Sequence, residues 1–172
     1  MPHLNTKLPY ESTTIPPEQT QFHITAMLNE FYRIDPESKK KTAWVNGIRW
    51  TDLPDQMPTL EFMMEYDTPE GVHKSVGVRV QPPLLAIPKK QKRGCGSQVV
   101  WEPAKAQSMR LMYYWMKSKL EAVLWGMRDF TEEFMGDVLV RTPDQGLQRI
   151  SQLIIPQLEQ NKVPALTFKE GP

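Results

Sequence analysis

Between Pro88 and Gly94 four of five residues are cationic: Lys89, Lys90, Lys92 and Arg93. Lysine and arginine on a segment bounded by proline and by Gly94-Cys95-Gly96 can meet several phosphates without fixed geometry. An aromatic neighbour such as Trp101 can stack on a base. The same run also suits a solvated loop tip that keeps the chain soluble. A second run, Lys39, Lys40 and Lys41, extends this patch if the fold brings the two together. Charge is segregated on a larger scale as well. Residues 72–120 hold ten basic residues against one acid, Glu102, so they carry +9 and leave −8 to the rest of a chain whose net charge is +1. Such asymmetry points either to a polyanionic partner or to mutual neutralisation of the two segments within the fold.

Other chemistries find little footing. Gly94-Cys95-Gly96-Ser97 could expose successive backbone N–H groups to a phosphate, but no Gly-Lys-Ser/Thr and no helix follow it, so a nucleotide loop is not indicated. The single cysteine, Cys95, excludes an internal disulfide framework and a cysteine-rich zinc site, and suits a reducing compartment. No base stands beside it to make it a nucleophile. His3, His23 and His73 fall on an arm, a helix and a turn with no metal-ligand spacing. Glu132 and Glu133 are adjacent, so they do not share a helical face as an acid/base pair would. The sequence therefore offers no catalytic residue, no metal site and no cofactor. An enzyme or small-ligand protein stays open as an alternative, because pockets assemble from residues far apart in sequence.

The elements that must position these residues are partly legible. Met109, Met112, Tyr113, Met116, Leu120, Val123, Leu124 and Met127 recur at steps of three and four, which predicts a long amphipathic helix over 103–127 with Pro103 in its first turn and Gly126 near its end. Asp129 and Glu132 have the spacing of a capping box, so a short helix should begin at Phe130. Phe22, Ile24, Met27, Leu28, Phe31 and Ile34 fit a helix over 18–34, ending before Asp35-Pro36. In AWVNGIRW, residues 43–50, Asn46-Gly47 is the signal of a tight hairpin, with Trp44 and Trp50 facing a helix. The runs 60–66 and 72–80 flank a five-residue turn and form a second hairpin, and Val76, Val78 and Val80 alternate as on a half-buried strand. Residues 82–96 read as a long loop and 99–101 as a final strand. Beyond them Thr142-Pro143 and Gln145 open a third helical stretch carrying Leu147, Ile150, Leu153, Ile154 and Leu158, which Pro156 should kink or end.

The resulting expectation is an α+β domain. It has a small antiparallel sheet of two hairpins, four to five strands, packed against a long C-terminal amphipathic helix, with further helices at both ends. Residues 1–17 form an extended or disordered arm and 18–172 a single domain. No run has the length of a membrane span and the start lacks the pattern of a signal peptide, which makes a cytoplasmic protein with no membrane partner the expectation. Tyr113, Tyr114, Trp115 and Trp125 are too many for one narrow helical face. Leu111, Trp115 and Trp125 are therefore candidates for a homo-oligomer interface, beside plain core packing.

The stretch 112–156, with MYYWMKSKLEAVLWGMRDFTEEF followed by a loop and QRISQLIIPQL, resembles uncharacterised bacterial, phage or mobile-element proteins. In these an N-terminal helix and hairpins precede a similar helix, a short Phe-Glu-Glu-Phe segment and a proline-interrupted helix. The resemblance covers about a quarter of the chain, brings no catalytic residues, and implies a mobile-DNA setting.

Overall fold

A computed structural model of the chain describes residues 13–53, 56–68, 70–93, 96–143 and 146–159, those at 87–101 by their backbone alone. Residues 1–12 of the expected arm, His3, the Gly94-Cys95 part of the glycine-bearing turn, and the tail lie outside the described residues.

The first helix, α1 (Pro17–Glu30), starts with a proline where a missing N–H costs nothing, and buries Thr20, Ile24 and Leu28. It ends four residues earlier than its apolar spacing suggests. Phe31 turns to an extended conformation, and Tyr32 to Ile34 become a strand, β1 (Tyr32–Ile34), because they find a pairing partner in β2 (Lys41–Thr51). The turn between them is held by Asp35, whose carboxylate accepts the Glu37 and Ser38 N–H groups at 2.9 and 2.6 Å. The sheet continues through β3 (Thr59–Asp67) and β4 (His73–Val80) as an antiparallel meander, β1-β2-β3-β4. The expected hairpin around residues 67–71 is the β3–β4 connection.

Asn46-Gly47 is not a hairpin turn. β2 runs straight through it, and the register against β3 slips between Asn46 and Arg49, so that Gly47 and Ile48 together oppose Phe62. Gly47 has φ +64°, whereas Asn46 is not in the left-handed region. This is a β-bulge with glycine at the position that needs positive φ, which is the same local demand that a tight turn makes. The bulge changes the parity of the strand. Ala43 and Val45 face the core before it, and Ile48 and Trp50 face the core after it. Trp50 therefore meets a helix as expected and donates its indole N–H to Thr25 of α1 at 3.0 Å. Trp44 does not: it lies on the other face, stacked on His73.

After β4, residues 86–93 and 96–103 form a separate two-stranded ribbon, β5 (Ala86–Arg93) and β6 (Gly96–Pro103), in place of the expected loop and lone strand. The ribbon is not hydrogen-bonded into the main sheet. At its root the Ala104 N–H donates to the Leu85 carbonyl at 2.9 Å. Pro103 ends β6 rather than starting a helix, and α2 runs over Lys105–Leu124. The long helix thus lies mid-chain, not at the C-terminus as expected. Its stripe buries Met109, Met112, Met116, Leu120 and Val123, while Leu124 and Met127 are exposed. Gly126 (φ +70°) closes it: its N–H bonds to the Val123 carbonyl and that of Met127 to the Ala122 carbonyl, the pair of bonds of a Schellman motif.

The short helix α3 (Phe130–Phe134) begins where expected, but the Asp129 side chain makes no capping bond, so the capping box does not form. Next come a 3-10 turn, Met135–Asp137, and a hairpin of β7 (Leu139–Thr142) and β8 (Gly146–Arg149), which is tied to β4 by a bridge between Val138 and Val78. This hairpin occupies the start of the stretch expected to be helical. Helix α4 (Ile150–Glu159) follows it and contains Pro156, which does not end it; none of its residues is buried.

The core lies on one side of the four-stranded sheet. Leu60, Phe62, Met64, Val78 and Val80 meet Ile24 and Leu28 of α1, the methionine stripe of α2, and Phe130 and Phe134 of α3. Phe134, fully buried, stacks on Phe130 at 4.7 Å and sets its edge against Phe62 and Trp115 at 6.0 and 6.2 Å. Among the described residues the architecture is α+β, with a four-stranded antiparallel sheet and four helices.

Candidate nucleic-acid interface and neighbouring surfaces

Lys89, Lys90, Lys92 and Arg93 all lie on β5, where the ladder pairs them with Val100, Val99, Ser97 and Gly96 of β6. Trp101 is paired with Pro88 in the same ladder. A run with no apolar alternation gives no strand signal of its own. It becomes a strand because Val99, Val100 and Trp101 on the partner segment supply the β-forming residues.

Lys39, Lys40 and Lys41 are exposed at the β1–β2 turn. Lys39 adopts φ +57°, and the Lys41 ammonium sits 4.8 Å over the Tyr32 ring. The two basic groups are rooted at opposite ends of the body. α2 begins beside the ribbon's root, where the Leu85 N–H bonds to the Ser108 hydroxyl, and its end, at Val123, lines a cleft with Arg33 and Asp35 next to the lysine turn. A helix of 20 residues separates the two roots by about 30 Å.

The outer sheet face, away from the helices, carries a polar ladder that sequence spacing alone does not reveal, since it depends on strand register. Glu61 accepts from Arg49 Nε at 3.0 Å and from Arg79 Nε at 2.7 Å. Burial alone would raise its pKa, but the two guanidinium groups outweigh that and hold the carboxyl below its ordinary value. Further along, His73 places Nδ1 2.9 Å from Asp67 and Nε2 3.0 Å from Glu65, and its ring stacks on Trp44 at 5.5 Å between centroids. Only the imidazolium can donate from both nitrogens. The hydrogen bond to Asp67, then that to Glu65, raises the His73 pKa.

Among the described residues three further recesses bear on the surface. A cleft of about 570 Å³ at the lysine-turn end is acidic, with Asp35, Asp67, Glu70, Asp129 and Glu132 around Arg33. A second, of about 380 Å³, lies between Val80, Pro83, Leu111, Met112 and Trp115, with Asp137 on its rim. Burial raises the Asp137 pKa against the pull of Arg149 and Lys119. The third is the groove between α1 and α2, about 520 Å³. Among the described residues no group of three or more His, Cys, Asp or Glu could hold a metal ion.

The candidate interface residues of α2 divide between two places. Trp115 is half-buried: its edge packs on Phe134 and the Lys119 ammonium sits 4.7 Å over its ring, Lys119 itself being bound by the Glu133 carboxylate at 3.0 Å. Leu111 shares the Asp137 recess with it. Trp125, 74% exposed, stands apart at the end of the helix. No helix among the described residues is long and apolar enough to cross a membrane. Comparison of the chain with family models, with curated proteins and with solved structures finds no match in any of the three.

Proposed function

We propose that the chain is a non-enzymatic nucleic-acid-contacting protein of phage or mobile-element type, and that the β5–β6 ribbon is its contact element. One observation carries this reading: four basic residues within 89–93 lie on a two-stranded antiparallel arm that is outside the main sheet. A two-stranded ribbon has the width to enter the major groove of duplex DNA, and eight residues per strand give it a reach of about 26 Å. The deep, narrow major groove of an RNA duplex would not admit it. Phosphate contacts then supply most of the affinity, so binding is weakly sequence-specific and steeply salt-dependent.

The test is fluorescence anisotropy with a labelled DNA duplex, an RNA duplex and a single strand, from about 50 to 200 mM salt. Four phosphate contacts predict a loss of about 150-fold over that range. Changing Lys89, Lys90, Lys92 and Arg93 together to Ser should abolish the salt-dependent part while leaving the melting temperature in place. Absence of binding at low salt, or undiminished binding by the variant, refutes the reading.

A further inference from the structure

The groove between α1 and α2 has a polarity of its own. The two helices run in the same direction, from the ribbon's end of the body to the lysine-turn end. At the start Gln21 of α1 bonds Asp52 just beyond β2 at 3.1 Å, and His23 meets the Tyr113 ring at 6.3 Å. Along the groove Met27, Phe31, Leu120 and Leu124 are apolar; Arg110 lies toward its start and Glu30 toward its finish, while Lys117, between them, pairs with Glu121 at 3.7 Å. One end therefore carries the Arg110 guanidinium beside Tyr113 and the other the Glu30 carboxylate, with the Lys117–Glu121 ion pair between them. Just past the Glu30 end the Schellman turn presents Trp125 and Met127 at 74% and 76% exposure, beside a half-exposed Leu124.

An exposed Trp125 next to Leu124, which lines the groove, and opposed charges at the groove's two ends allow the surface to pair with a second copy of itself. Under a twofold axis across the middle of the groove, the Glu30 end of one copy faces the Arg110 end of the other. Each Trp125 then arrives over its partner's Tyr113 and Arg110. We propose that the α1–α2 face is a homodimer interface of this kind, the occupant of each groove being Trp125 of a second copy. Tryptophan is among the residues most enriched as anchors of such contacts. Cations stack on indole faces, and Arg110 already does so on Tyr113 and Tyr114 at 4.9 and 5.1 Å.

Sedimentation equilibrium of the full chain, from about 1 to 200 μM, reads the association directly. A dimer is expected, with Trp125→Ala weakening it by at least about 30-fold. Because Trp125 is exposed, that variant should keep the parent's melting temperature when measured at concentrations where both are monomeric. Glu30→Lys and Arg110→Glu should each weaken self-association by setting like charges against one another. An equimolar mixture of these two variants should form the heterodimer, in which both contacts are again attractive. A monomer throughout the range overturns the proposal. So does a dimer indifferent to Trp125→Ala, or a mixture of the two charge variants that associates no better than each alone.

Discussion

Replacing Gly47 isolates the role of backbone conformation in β2, because nothing else stands in the way. A Cβ built at Gly47 would meet only the Met63 side chain, at 3.9 Å, which is ordinary contact. Any loss of stability must come from holding an L-residue at φ +64°. For alanine the left-handed conformation costs roughly 1–2 kcal/mol, and the smaller freedom of the unfolded chain returns about 0.4–1 of it, leaving a net loss near 1 kcal/mol. Valine, stiff at its branched carbon, should lose about 2 kcal/mol, and asparagine, which tolerates this region, a few tenths. For a chain of this length each kcal/mol moves the midpoint by roughly 2–4 °C, so thermal unfolding followed by circular dichroism should rank the variants Asn, Ala, Val in order of increasing loss. The reasoning fails if valine leaves the midpoint unchanged, or if asparagine costs as much as valine. The latter would mean that the site is limited by space rather than by φ.

Phe134→Ala should cost about 3–5 kcal/mol, since a fully buried ring touching three aromatic neighbours is removed from a rigid core; chemical denaturation with an unchanged m-value checks it. For His73 the folded pKa lies above the ordinary value of 6.5, so its ion pairs add stability fully below that value and lose it as pH rises through the raised folded pKa. His73→Gln should therefore lower the melting temperature more at about pH 6 than at about pH 9, and a difference that is constant or grows with pH would refute the imidazolium assignment.

What could be read in advance follows from how local each signal is. The α2 stripe, its glycine stop and the turn at 67–71 depend on residues close in sequence, and all three are present. Gly47 was legible as a residue needing positive φ, but bulge and hairpin make the same local demand. Only the pairing of Trp50 with Leu60, beyond the bulge, tells them apart. β5 carries no period at all, and its strand conformation is imposed by β6. The third helical stretch differs for another reason: the segment after α3, with Thr142-Pro143 and apolar residues spaced for a helix, spends its first part in a hairpin anchored to β4 through Val138. The His73 cluster was out of reach, because residues 44, 65, 67 and 73 converge only through the registers of three strands. Of the two basic runs, each was visible, but their separation by the length of α2 is a property of topology.

The hydrogen bond between Ala104 and Leu85 means that the chain leaves the body and re-enters it at nearly the same point. In topological terms the ribbon is an insertion between β4 and α2, and its length is decoupled from the geometry of either. Doubling a loop whose ends are already pinned costs only about 0.6 kcal/mol in closure entropy. An arm of this kind can grow, shrink or exchange its sequence while the sheet and helices beneath it are left undisturbed, so the arm is free to diverge faster than the part that folds.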